Sequence, residues 1–114
     1  MKEIRGDTLR GHLETMVLSI LERGDAHGFE MIRILEERGS GLLHLKEGTL
    51  YPALYRLEGA GLIEGQWESN DQRRRGARRR VYRLTRKGKG ELARRRESWR
   101  DFVRVVGELV GGTT

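Results

Sequence analysis

The 114-residue sequence contains no cysteine, which excludes disulfides, thiolate metal ligands and a thiol redox sensor. No apolar run approaches the roughly 20 residues that a bilayer-crossing helix needs. The N-terminal "MKEIRGDTLR" lacks the apolar core of a signal peptide, so the expectation is a cytoplasmic protein without a membrane partner. Its three histidines, His12, His27 and His44, form no His-x-x-x-His pair and have no carboxylate cluster beside them, so no metal site or other cofactor is expected. "GKG" at Gly88–Gly90 lacks the spacing of a phosphate-binding loop, and no serine or threonine stands in a nucleophile motif. An enzyme is not expected. The single proline, Pro52, has no amide hydrogen and fits comfortably only in or near the first turn of a helix.

What the chain has is charge, unevenly placed. Of its residues 35% are charged, and the net charge is +6. Residues 1–61 hold 8 Lys/Arg against 10 Asp/Glu, a net of −2, whereas residues 62–114 hold 15 against 7, a net of +8. The densest point is "DQRRRGARRRVYRLT", in which six arginines occupy the eight positions from Arg73 to Arg80. Such an asymmetry is the electrostatic footprint of a protein that meets a polyanion, most often nucleic acid; a merely solvated charged face is the alternative.

The apolar pattern supplies the frame. Leu9, Leu13, Met16, Val17, Ile20 and Leu21 recur at steps of three and four, the stripe of an amphipathic helix, which Gly24 is expected to end in a left-handed conformation. Phe29, Met31, Ile32, Ile34 and Leu35 give a second helix with a wide apolar face. Leu50, Leu54 and Leu57 mark a third, starting between Lys46 and Thr49. After Gly61 the period changes to two: "LIEGQWES" and "RRVYRLT" read as two strands of a hairpin, with the arginine run at its end. A long helix then follows a Thr85 cap. Its band of Leu92, Trp99, Phe102, Val103, Val106 and Leu109, at near-heptad steps, needs a partner. The expected fold is mainly α with a small β-hairpin: a winged helix-turn-helix over residues 1–85, and a long dimerisation helix over residues 86–114. In that arrangement the third helix enters the major groove of DNA.

The stretches "EGTLYPALYRLEGAGLIEGQW" and "RRRVYRLTRKGKGEL", preceded by "HGFEM", resemble the PadR-like transcriptional regulators, over about residues 9–99. With a single C-terminal helix, the chain is similar to the short subfamily. The resemblance implies a homodimeric repressor that binds a palindromic operator, with the C-terminal helix making the dimer together with the N-terminal helix. It also implies release from DNA by a small phenolic or other aromatic effector. The family often carries tyrosine at the position of Phe29.

Candidate DNA-binding residues follow. Lys46 sits at the entrance of the third helix, where a phosphate would offset its opposition to the helix dipole. Thr49, Tyr51, Tyr55 and Arg56 lie on or beside the polar side of that helix, Arg56 suited to a two-bond contact with guanine. The wing arginines, among them Arg73, Arg74, Arg75, Arg78 and Arg79, are suited to phosphates, which relieve their mutual repulsion. Trp99, Phe102, Val103, Val106 and Leu109 are candidates for the dimer contact or an effector pocket. Two other readings stay open: a winged helix that binds RNA, and an adaptor that uses the C-terminal helix on a different protein.

Overall fold

A computed structural model describes residues 6–39, 47–68 and 79–111, with side chains in the first helix from His12 onward. The element order is α1 (Gly6–Arg23), β1 (Ala26–His27), α2 (Gly28–Arg38), α3 (Glu47–Gly59), β2 (Ile63–Trp67), β3 (Arg80–Leu84) and α4 (Arg86–Val110). Three short helices, an antiparallel pair and a long final helix match the order read from the sequence. The pair gains a member: β1 adds to the far side of β3, giving a three-stranded antiparallel sheet in the order β1-β3-β2. Ala26 pairs with Tyr82 and His27 with Val81. Two residues leave no periodicity to read, so this strand has no signature of its own in the sequence.

α1 is the central element, packed against α3, α4 and β3. Leu13, Val17, Leu18, Ile20 and Leu21 are all buried, so its apolar face is wider than the expected stripe by Leu18. Met31 and Leu35 from α2, with Leu50, Ala53, Leu54 and Leu57 from α3, close the core beneath it. Phe29, expected on that apolar face, is 59% exposed instead. Met31 and Leu35 set the buried direction of α2, and at about 100° per residue Phe29 points away from it. Gly24 does not take the expected left-handed conformation; among the described glycines positive φ belongs to Gly61 (77°) and Gly111 (71°).

The turns that place the wing are built from specific bonds. Thr85 caps α4, its Oγ1 accepting from the Gly88 amide at 3.0 Å while donating to the Gly61 carbonyl at 2.7 Å. The helix start therefore anchors to the turn that leads into β2. Gly88 lies directly against the Leu62 carbonyl, where any Cβ would collide with backbone. A glycine that weakens the helix by roughly 1 kcal/mol is what lets α4 approach the wing base. At the other end of the molecule α4 runs past its own core. Beyond Leu92 its one buried residue is Gly107. The radius of gyration, 16.0 Å, exceeds the roughly 13 Å of a compact domain of this length.

Candidate nucleic-acid interface

α3 turns Leu50, Ala53, Leu54 and Leu57 inward, which fixes the opposite side of the helix. Gly48, Pro52, Tyr55 and Gly59 make up that opposite stripe, and all are exposed. Tyr55 is its one large side chain, 81% exposed. Two glycines and a proline keep the rest of the stripe low, so a flat surface can approach the helix closely. Pro52 falls in the second turn, and its missing amide removes the donor that the Gly48 carbonyl would otherwise meet in the helix.

The four candidate residues of α3 are thus distributed rather than grouped. Tyr55 is central. Tyr51 flanks it, its phenol against Gly28 at the start of α2, where a Cβ would overlap the ring. Thr49 is half-buried on the other flank. Arg56 is on that second flank too, its Nε donating to Glu14 of α1 at 3.3 Å. That pair is solvent-exposed enough to be worth at most about 1 kcal/mol, so Arg56 is held loosely.

Beside this stripe stands the wing. Ile63 pairs with Leu84, Gly65 with Tyr82 and Trp67 with Arg80. The ladder continues outward as the Glu68 amide donates to the Arg79 carbonyl at 2.8 Å. Lys46, Arg73, Arg74, Arg75 and Arg78 lie outside the described residues. Arg79 is exposed, with Nη1 at 3.0 Å from His27 Nε2. Arg80 is engaged inward: Nη2 donates to Glu58 Oε2 at 2.6 Å, and its guanidinium lies 5.4 Å from the Trp67 ring centre. Burial pushes the neighbouring Tyr82 phenol up from its ordinary value. Across the outer face, Arg83 donates to Glu64 at 3.0 Å, which raises the arginine's pKa further.

Two residues here are not legible from the sequence pattern alone. His27 caps α2: its Nδ1 accepts from the Glu30 amide at 3.4 Å while the Glu30 carboxylate accepts from the His27 amide at 3.2 Å. This is a capping box with histidine in the place usually held by serine or threonine. Glu58 is the other, and it does carry a weak signal: an acid in the last turn of a helix opposes the dipole and so points to a partner.

A second feature is on α4. Trp99 is 51% exposed, Phe102 58% and Leu109 81%, with Val103 and Val106 between them also exposed. Trp99 stacks on Phe102 with ring centres 5.8 Å apart and meets the His12 ring edge-on at 5.3 Å. Large exposed apolar side chains in a continuous band mark an interaction surface. Among the described residues no group of three or more His, Cys, Asp or Glu stands ready for a metal, and no helix is long and apolar enough to cross a membrane.

Comparison with known proteins points the same way. The family model for the transcriptional regulator PadR-like family matches residues 17–94. The transcriptional regulator Rv3488 of Mycobacterium tuberculosis is 31% identical over 112 residues, covering 98% of this chain and 92% of its own. A transcriptional regulator from Clostridium thermocellum superposes with a TM-score of 0.81 at 32% identity, covering 91% of this chain and 98% of that one. A PadR family transcription regulator from hypervirulent Clostridium difficile R20291 superposes with a TM-score of 0.74 at 35% identity, covering 90% and 100%.

Proposed function

Since the chain belongs to the PadR-like family of transcriptional regulators, and is a regulator rather than an enzyme, we propose that it is a homodimeric repressor of a palindromic operator. The winged unit over residues 1–85 reads DNA, and the helix from residue 86 onward pairs the protomers. The observation that carries this reading is the exposed Gly48–Pro52–Tyr55–Gly59 stripe of α3, set beside a wing whose two strands are joined by a segment holding five arginines. α3 enters the major groove; Tyr51, Tyr55, Thr49 and Arg56 meet bases and nearby phosphates. Lys46 and the wing residues Arg73, Arg74, Arg75, Arg78 and Arg79 neutralise the flanking backbone, supplying affinity more than specificity.

The exposed aromatic pair Trp99 and Phe102, with His12 against it, favours a further element: a flat aromatic effector held where two protomers meet. Such a compound releases DNA only in so far as it binds one arrangement of the dimer more tightly than the other.

The test is selection from a random duplex pool, followed by anisotropy titration of the enriched duplex against structured RNA of equal length. Enrichment of an inverted repeat with weak RNA binding is expected. Equal affinity for RNA favours the RNA-binding winged helix. Weak binding to both, with capture of a different protein through α4, favours the adaptor.

A further inference from the structure

Glu58 lies at the C-terminal end of α3, yet its bonds run to both strands of the wing. One oxygen, Oε2, accepts from Arg80 Nη2 on β3 at 2.6 Å and from the Gly65 amide on β2 at 3.4 Å. The guanidinium of Arg80 is itself fixed by two rings, 5.4 Å from the centre of Trp67 and 5.8 Å from that of Tyr82. Gly65 opens the groove that holds it, because a Cβ there would stand 2.5 Å from Arg80 Nε. Both side chains are partly shielded, Glu58 at 33% and Arg80 at 28% exposure. The clamp meets β2 at Gly65, two residues or about 7 Å along the strand from the core residue Ile63, and meets β3 at Arg80, which pairs with Trp67 at the outer end of the ladder.

We propose that Glu58 is a positioning residue for DNA recognition, locking the wing to α3 through Arg80 so that the two DNA-facing elements keep one spacing before DNA arrives. This rests on the reading of α3 and the wing as DNA-facing. Arg80 is thereby withdrawn from the arginines that neutralise phosphate.

The proposal reverses the sign expected from charge alone. Glu58→Gln raises the net charge by one, which by long-range attraction strengthens DNA binding. Loss of the clamp weakens it. The experiment uses the full chain and a fluorescein-labelled duplex enriched by the wild-type protein from a random pool, titrated at several salt concentrations. Glu58→Gln and Arg80→Lys are each expected to bind roughly fivefold more weakly, and the double variant no more weakly than either. The dependence of log affinity on log salt stays as in wild type, since the same phosphates remain neutralised. Lysine does not rescue, because an ammonium lacks the planar fork and the stacking surface. Gly65→Ala, which evicts Arg80 while leaving both charges, is expected to reproduce the weakening and guards against a variant that fails to fold. In a Trp99→Phe background all three shift the emission of Trp67, a signature of the displaced guanidinium. Equal or tighter binding by folded Glu58→Gln overturns the proposal. So does a fall of about 0.9 in the salt slope on Arg80→Ala, which would make Arg80 a phosphate ligand. A wild-type protein that enriches no duplex overturns the DNA-facing reading itself, and the positioning role with it.

Discussion

Tyr55 and its neighbour Arg56 face different surroundings, Tyr55 open to solvent and Arg56 tied to Glu14. For Arg56 to read a base it must leave an ion pair worth little, so the exchange is nearly free. Replacing either residue by alanine is expected to cost about 1–3 kcal/mol on the enriched duplex and much less on random DNA. Equal losses on the two duplexes, measured by anisotropy, would reduce both residues to phosphate anchors. A different residue pair contributes to acid sensitivity. Arg96 on α4 grips Glu22 on α1 through two bonds of 2.8 and 3.0 Å, and its hydrogen bond holds the Glu22 carboxyl below the ordinary value of 4.5. A lowered folded-state pKa means stabilisation that is fully present above the unfolded value and lost as pH falls through the folded one. The stability gap between wild type and Glu22→Gln should therefore hold at neutral pH and close as pH drops below 4.5. Urea midpoints across that range measure it; a gap that persists in acid would remove the ion pair as its cause. Local bonds such as the Thr85 cap are legible because threonine before a helix has one common use. The Glu58–Arg80 bond is not, since its partners are 22 residues apart and only the folded wing brings them together.

At the scale of elements, the fold depends on how closely the start of α4 approaches the strand entry. Gly88 against the Leu62 carbonyl leaves no room for a methyl group. Gly88→Ala should destabilise by roughly 1–3 kcal/mol through forced displacement of backbone, even though alanine is the better helix former. Gly90→Ala, two residues on and in open space, should stabilise by up to about 1 kcal/mol. Thermal midpoints moving in opposite directions would verify the pair, and a stable Gly88→Ala would refute the close approach. The wing makes an electrostatic prediction. Replacing Arg73, Arg74 and Arg75 together by alanine should lower the slope of log affinity against log salt by about 0.9 for each phosphate that these residues neutralise. An unchanged slope would mean these residues face solvent in the complex. The three helices and the wing strands can be read directly from the sequence, because each has enough residues to display its period. Strand β1, with two residues, cannot. Phe29 reads as inward-facing because a wide apolar pattern does not say which edge of it meets the core.

The whole molecule is longer than its core requires, 58 Å along its greatest dimension, and α4 carries its exposed apolar band on the projecting end. A band of this kind is visible in the sequence; what it meets is not, since one chain records only its own half of an interface. If two copies bury it symmetrically, each residue near the axis meets its own copy or a neighbour. The two α3 helices would then stand about 34 Å apart, one turn of DNA, and reach successive major grooves. This makes dimerisation a condition of affinity and not only of stability. Once one protomer is bound, the second is presented at a high effective concentration, so a monomer forfeits a factor on the order of 100 or more. Phe102→Glu with Leu109→Glu places a carboxylate at two points of the band without touching the winged core, where both residues are exposed. The double variant should sediment as a monomer at micromolar concentration, keep its helical circular dichroism, and bind a half-site as wild type does. Its affinity for the full inverted repeat should fall to that of the half-site. The aromatic pair adds a linked test: planar aromatic compounds should quench Trp99 emission in the dimer, with Trp67 replaced by phenylalanine, and the glutamate variant should lose that response. A double variant that remains dimeric would assign the protomer contact elsewhere and leave the exposed band to a different partner. A dimer whose Trp99 no compound perturbs would keep the pairing and abolish the effector site alone.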